Sequence, residues 1–320
     1  MKRRHFISLL GSVVAACPLS VHGAQRENPK IAVLFFGYPD PAAFEKGFRS
    51  GLANRGYEDG RSIELTVRNA RGRSTELDSM AAELIGLRPD LILAYPTTAG
   101  IAVQRLTSEI PIVVYGGDLE ATKLVASLAR PGGNVTGVSG STGELATKSL
   151  ELILEMLPQS RRVAVLVNAD SLFGLAMLRH VQAAAEVRKI DVKSVSIAEA
   201  DQLDRVFANL DEWKPDALLV HPALPLKLIA TLALERRWPA VSPNSTFCGL
   251  GGLGSYSPDI ETLADQCATF VDKILKGRRP SDLPVELPTR FRLELNLKTA
   301  RTIGLSIPGT LLARADEVIE

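Results

Sequence analysis

One nine-residue stretch occurs twice in this chain and constrains its fold more than any other feature. The run RPDLILAYP begins at Arg88, and KPDALLVHP begins 126 positions later, at Lys214. Each copy is a basic residue, Pro-Asp, a short apolar run, one ring-bearing residue and a second proline. The strand-like run at residues 30–34 is likewise echoed at 162–166. A repeat at near-constant spacing predicts two copies of one α/β architecture, and two lobes imply a cleft between them.

Length and composition allow this arrangement and exclude some partners. A chain of 320 residues can form two domains of ordinary size, each with its own core. With 46% hydrophobic and 23% charged residues, the composition is that of an ordinary globular protein. The formal net charge of +1 gives no reason to expect nucleic acid or an anionic membrane surface as a partner.

The first 24 residues are expected to be a signal peptide. A basic start precedes an apolar run at residues 8–16, which is too short to span a bilayer, and small residues then offer a cleavage site. The Arg3-Arg4 pair resembles a twin-arginine signal, although an ordinary Sec signal is also compatible. A third alternative is a lipoprotein acylated at Cys17, because VAAC resembles a lipobox. All three predict that the protein leaves the cytoplasm.

Two cysteines remain after the signal peptide, Cys248 and Cys267. Cys267 shares a helical face with apolar residues, which favours a buried thiol, and a disulfide with Cys248 is the alternative in an oxidising compartment. No spacing typical of metal ligands occurs, so we expect neither a metal nor a cofactor.

Strand-length apolar runs alternate with amphipathic segments of helical length through most of the chain. Such alternation is typical of βαβ units and parallel sheets. Thr97 and Thr98 are placed to cap a helix over residues 99–108. Residues 131–134 (PGGN) predict a tight turn, and residues 135–138 after it read as an extended crossover.

Three motifs resemble one protein family. They are LARPGGNVTG at residues 128–137, GGLGSY at 251–256, and a tail that includes DLPVE at 282–286 and LLARADE at 311–317. The chain is similar to the substrate-binding proteins of ABC transporters related to the tryptophan/tyrosine-type binders, which are distant relatives of the leucine/isoleucine/valine-binding proteins. The resemblance covers essentially the whole chain.

The resemblance implies a type I periplasmic binding protein: an α/β fold of two doubly wound parallel-sheet lobes joined by crossover strands. The N-terminal lobe would comprise residues 28–135 with 256–285 returning to it, and the C-terminal lobe 138–252 with 288–320. The protein would be a periplasmic monomer that closes on a small-molecule solute and delivers it to a cognate ABC permease and ATPase.

Candidate ligand-binding residues follow from the rule that ligands lie beyond the carboxyl ends of parallel strands. Helix N-termini there favour a carboxylate, hydroxyl groups add donors, and aromatic rings can stack on a planar ligand. Asp118 would meet a ligand amine or cap the next helix, and His221 would contact the ligand or be a polar residue at the cleft edge. The expected set is Tyr38, Tyr95, Thr97, Thr98, Tyr115, Asp118, Ser141, Thr142, Asn168, Ser171, Phe173, His221 and Thr246.

Two departures from the family pattern bear on the ligand. Residues 245–247 are Ser-Thr-Phe where relatives often have Arg-Glu-Phe, and Tyr115 precedes Gly-Gly-Asp where relatives usually have Asp-Pro. The acidic partner of a ligand amine is therefore missing from the motif, and the ligand need not be an amino acid. The ring that differs between the repeats, Tyr95 against His221, suggests a ligand with chemically distinct ends.

Enzymatic activity has no candidate constellation in this sequence. Residues 249–254 match G-x-G-x-x-G, but a dinucleotide site needs a strand before it and a helix after it, and polar loop residues flank this run. His180 is predicted on the surface of a helix. A sensory ligand-binding module and an exported enzyme on the same scaffold remain alternatives to the transport receptor, since a fold alone does not fix its use.

Overall fold

The computed structural model describes residues 28–37, 41–140, 142–169 and 171–320. The expected signal peptide, with Cys17, lies outside these residues. The described chain forms two β-sheets, each flanked by helices, as the repeated sequence predicts. None of the described helices is long and apolar enough to cross a membrane.

The first sheet contains five parallel strands in the order β2-β1-β3-β4-β5. Its strands are β1 Lys30–Phe35, β2 Glu64–Asn69, β3 Leu91–Tyr95, β4 Ile112–Gly116 and β5 Val135–Ser139. Three helices connect them: α1 Ala42–Ala53, α2 Ser74–Gly86 and α3 Thr97–Leu106. The segment predicted as a crossover is thus an edge strand that pairs with β4, and it extends to Ser139, beyond the lobe end expected at residue 135.

The second sheet contains seven strands in the order β12-β11-β10-β9-β8-β6-β7. Its strands are β6 Arg162–Asn168, β7 Asp191–Ile197, β8 Ala217–Val220, β9 Ala240–Ser242, β10 Gly254–Pro258, β11 Phe291–Asn296 and β12 Glu317–Ile319. Its helices are α4 Thr142–Met156, α5 Leu172–Arg188, α6 Leu203–Trp213, α7 Leu226–Glu235, α9 Leu297–Ile303 and α10 Gly309–Leu312. The sheet is parallel from β7 to β10, as expected, and its edge differs because β11 runs antiparallel to β10 and β12 runs parallel to β11.

The remaining helix, α8 Ile260–Leu275, follows β10 of the second sheet but packs on α1 of the first. Arg55 forms a bidentate ion pair with Asp265, with contacts of 2.6 and 2.9 Å, which fixes α8 against the loop after α1. Over the described residues, the chain therefore passes between the sheets three times: after β5, after β10 and before β11. Two of these segments are joined by the hydrogen bond from the Asp259 amide to the Arg290 carbonyl, at 2.9 Å.

The repeated Pro-Asp motif has the same structural role in both sheets. The Asp90 carboxylate accepts a hydrogen bond from the amide of Lys30 at 2.7 Å, at the start of β1. The Asp216 carboxylate accepts from the amides of Arg161 and Arg162 at 2.7 and 2.8 Å, at the start of β6. Each aspartate thus satisfies backbone donors that begin the neighbouring strand, so the Pro-Asp half of the motif has a structural role in both sheets.

Both cysteines of the described chain are buried and free. Cys267 lies in the apolar layer between the first sheet and α8, as its helical face predicts. The Cys248 thiol donates to the Glu294 carbonyl oxygen in the second sheet, at 3.3 Å. The alternative of a disulfide is therefore wrong, because both thiols are free and they lie against different sheets.

Candidate functional site

A cavity lies where the carboxyl ends of the strands of the two sheets meet. Its volume is about 150 Å³. Both sheets contribute to its wall. Eight of the residues expected from the sequence line it: Tyr95, Thr97, Thr98, Tyr115, Asn168, Ser171, Phe173 and His221.

The other expected residues divide into two groups. Tyr38 and Ser141 lie outside the described residues, and Thr142 begins α4 with a side chain that is not described. Asp118 and Thr246 are described but do not line the cavity. The exposed Asp118 carboxylate accepts the Ala121 amide at 2.9 Å, which matches the capping alternative, although a turn and not a helix follows it.

At the first sheet, the cavity meets the beginning of α3. Thr97 and Thr98 occupy the first turn of this helix and do not cap it, contrary to the prediction, and Pro96 holds the N-cap position without a side-chain hydrogen bond. The Thr97 hydroxyl instead donates to the Gly117 carbonyl at 3.2 Å. A Cβ on Gly116 would collide with Thr97, so glycine at this position allows the helix to begin against the end of β4.

The apolar side of the cavity is a column of aromatic rings. Tyr95 stacks on Phe44 at 5.2 Å on one side and on Tyr115 at 5.0 Å on the other. A ligand therefore meets the edge of Tyr95 and not a free face, contrary to the expectation of stacking. Burial raises the pKa of the Tyr95 phenol to about 12 and raises that of Tyr115 as well, so both hydroxyls stay protonated at neutral pH.

At the second sheet, the cavity meets His221 and the beginning of α5. His221 is only 2% exposed, and burial lowers its pKa to about 3, which keeps the imidazole neutral at neutral pH. Its Nδ1 accepts the Ala223 amide at 3.1 Å, so the ring proton must lie on Nε2. Nε2 then donates to the Ser171 Oγ at 3.2 Å. The same oxygen caps α5 by accepting the Gly174 amide, also at 3.2 Å.

Two cavity residues, Asn244 and Ser257, were missed by the sequence-based analysis. The Asn244 Oδ1 accepts hydrogen bonds from both the amide and the hydroxyl of Thr246, at 2.9 and 2.8 Å. Thr246 therefore contacts a cavity residue but does not line the cavity itself. Ser257 is 2% exposed and its hydroxyl has no partner among the described residues. The period-two alternation of Ser255 and Ser257 after the Gly-Gly-Leu motif was the available signal, because alternate strand residues share a face.

The features weighed as enzymatic do not form a site in the described chain. The glycine run at 249–254 lies in a turn that leads into strand β10 and not into a helix, so it lacks the context of a dinucleotide site. His180 is exposed on α5, and its ring lies beside Gly143. Among the described residues, no three His, Cys, Asp or Glu side chains are grouped so that they could hold a metal ion.

Comparison with known proteins gives consistent matches. The family model described as "ABC transporter substrate binding protein" matches residues 30–319. A tyrosine-binding protein of Clostridioides difficile (strain R20291) is 24% identical over 274 residues, which are 84% of this chain and 78% of that protein.

Solved structures show the same fold. The ABC domain in complex with L-Trp from Streptococcus pneumonia is 26% identical with a TM-score of 0.85, over 91% of this chain and 100% of that one. A conserved domain protein from Vibrio cholerae O1 biovar El Tor gives a TM-score of 0.86 at 26% identity and the same coverage. The leucine-binding protein LivK from Thermotoga maritima, at 15% identity and a TM-score of 0.59, over 78% of this chain and 83% of that one, shares the fold alone.

Proposed function

This chain belongs to the ABC transporter substrate-binding protein family, and on that premise we propose that it is the extracytoplasmic solute receptor of an importer. The observation that carries the proposal is the cavity at the strand ends, which both sheets line. The family is one of solute-binding proteins and not of enzymes. The proposed partners are a small-molecule solute, a cognate permease and its ATPase, with the receptor acting as a periplasmic monomer.

Hinge closure is the proposed mechanism of capture. The two sheets are connected by three chain segments, so a movement there changes the distance between the two walls of the cavity. Two of these segments pair with each other, through Asp259 and Arg290, and the third pairs with residue 286 through the amides of Ser139 and Glu286. A ligand that contacts both walls stabilises the closed arrangement by the free energy of those extra contacts.

The chemistry of the two walls favours a small aromatic or carboxylate-bearing ligand. Amides of the first turns of α3 and α5 point their positive dipole ends at the cavity and attract an anionic group. The rings of Tyr115 and Phe173 supply apolar area for a planar body. The L-Trp complex and the tyrosine-binding relative support a ligand of this size.

A thermal-shift screen tests the proposal. A ligand that binds only the folded protein stabilises it by about 2.7 kcal/mol at a concentration of 100 times Kd, so the melting temperature should rise. The panel comprises amino acids, aromatic acids and small carboxylates. Ser171→Ala should weaken the response, whereas the matched control Ser79→Ala, on the exposed side of α2, should retain it. A folded protein that responds to no compound in the panel would contradict the receptor function.

A further inference from the structure

The cavity offers hydrogen-bond donors and no charged side chain among the residues that the structure describes. Its described wall contains hydroxyls, amides and aromatic rings, and its one titratable imidazole, His221, is neutral. The described wall therefore offers a ligand only neutral donors and acceptors, and those that are still unpaired indicate which ligand groups fit.

The Ser171 hydroxyl is left as a donor. Its oxygen already accepts from the Gly174 amide and from the Nε2 of His221, whose proton is fixed there by the Ala223 amide on the other ring nitrogen. Both acceptor positions of a hydroxyl oxygen are thereby occupied, and only its own proton remains for a ligand. Ser171 thus recognises an acceptor.

Asn244 and Ser257 extend the donor set on the same side. The Asn244 Oδ1 is occupied by two bonds from Thr246, so the amide nitrogen, which can only donate, is the group left over. The Ser257 hydroxyl is buried beside the cavity without a partner among the described residues. A buried polar group without a partner is costly, and a ligand oxygen would satisfy it.

On the opposite wall, the first-turn amides of Thr97 and Thr98 have no acceptor among the described residues. The backbone carbonyls nearby are already used: Pro96 accepts the Ala99 amide, Gly116 the Gly140 amide, and Gly117 the Thr97 hydroxyl. The second wall repeats this pattern, because the Asn244 carbonyl accepts the Ser255 hydroxyl. On both walls, backbone amide and side-chain donors are thus left unpaired, while each of these carbonyl oxygens already accepts a hydrogen bond.

We propose that this site selects an aromatic carboxylate that lacks an ammonium group over the α-amino acid of the same skeleton. The inference rests on the proposed receptor function and specifies its ligand class. A carboxylate only accepts hydrogen bonds and is favoured at helix N-termini, so it matches the unpaired donors. An ammonium group only donates and carries a charge, and the described wall holds no carboxylate to pair with it, so its burial there is unfavourable. The selectivity differs from that of the relatives named for tyrosine and crystallised with L-Trp.

Calorimetric titration with matched pairs tests the proposal. The pairs are 3-(4-hydroxyphenyl)propanoate with L-tyrosine and indole-3-propanoate with L-tryptophan, which differ only in the α-ammonium group. We expect the desamino acid to bind about tenfold more tightly or better in at least one pair. An amino acid that binds as tightly as its desamino partner, or more tightly, in both pairs overturns this inference but leaves the receptor function standing. If none of these four compounds binds, this inference is overturned. If no compound of the wider panel binds either, the receptor function is overturned as well.

Asn244→Asp is the decisive variant. It keeps the oxygen that accepts from Thr246 but replaces the donor nitrogen with an acceptor oxygen, so the affinity ratio should move toward the amino acid by about tenfold or more. Asn209→Asp makes the same charge change on the exposed side of α6 and should leave the ratio unaltered. An unchanged ratio in Asn244→Asp contradicts the donor assignment.

Asp40 and Asp170 each precede a cavity residue in the sequence, Pro41 and Ser171, and both lie outside the described residues. Neither carboxylate is expected to pair with a ligand ammonium group. Asp40→Asn and Asp170→Asn should therefore preserve the preference for the desamino acid. A selective loss of amino-acid affinity in either variant would identify an ammonium partner and overturn the inference.

Discussion

Protonation of His221 should make the folded protein lose stability in mild acid. Burial lowers its folded-state pKa from 6.5 to about 3. The unfolded chain therefore takes up a proton as the pH falls below 6.5, whereas the folded protein does not until about pH 3. The contribution of this group to stability is complete above pH 6.5 and decreases as the pH falls toward 3. Integrating between pH 7 and pH 5 gives a loss of about 2 kcal/mol, within a limit of roughly 5 kcal/mol at lower pH.

The variant His221→Gln isolates this effect, because it keeps a side-chain nitrogen that can donate to Ser171 and removes the titration. Urea unfolding followed by the fluorescence of Trp213 and Trp238 gives the free energy of unfolding at pH 7 and pH 5 for both proteins. The wild type should lose about 2 kcal/mol more than the variant over this interval. Other titrating groups are shared by both proteins and cancel in the comparison.

His180→Gln is the matched control, since this ring is exposed on α5. It should retain the larger loss of the wild type between pH 7 and pH 5. The same loss in the wild type and in His221→Gln would refute the reasoning, because it would mean that His221 is not held neutral by burial. A lower absolute stability of the variant does not affect the test, since only the change with pH is compared.

Two further perturbations follow from the structure. Burial and the neighbouring Glu317 raise the pKa of Glu294 from 4.5 to about 7, so the stability that its protonated form contributes is complete below pH 4.5 and is lost as the pH rises to about 7. The stability of Glu294→Gln relative to the wild type should therefore be greater by on the order of 1 kcal/mol at pH 8.5 than at pH 4 in urea titrations. Gly116→Ala should lower the free energy of unfolding by about 2 kcal/mol and abolish the ligand-induced thermal shift, because the added Cβ would displace the start of α3 at Thr97. The control Gly86→Ala has open space around the added Cβ and should have neither effect.

The strands that carry the cavity could be predicted from the sequence because buried strands consist almost entirely of apolar residues. β3 and β8 are central in their sheets and buried over nearly their whole length, so both appear as continuous apolar runs. The position of the cavity followed from the rule on strand ends. These features depend on local patterns, which a single sequence contains.

Features that depend on distant partners could not be predicted. The faces of Tyr95 are covered by Phe44 and Tyr115, and only the packing of α1 on the sheet brings Phe44 there. The reversed direction of β11 results from the return of the chain after α8, which no local pattern specifies. Asn244 was missed for a similar reason, because its donor role depends on which of its two polar atoms Thr246 occupies.

The two copies of the repeated strand show how one scaffold can acquire two different walls. Asp90 and Asp216 hold the starts of the neighbouring strands in the same way, whereas the other end of the repeat differs between the two sheets. At that end Tyr95 completes an aromatic column, whereas His221 donates to the Ser171 oxygen and leaves the Ser171 hydroxyl proton to point elsewhere. A ligand that spans the cavity therefore meets ring edges and helix amides on one side and a directed hydroxyl donor on the other. Specificity can then change through the ring position alone, which makes exchange of these two residues more informative about ligand choice than changes within the strands.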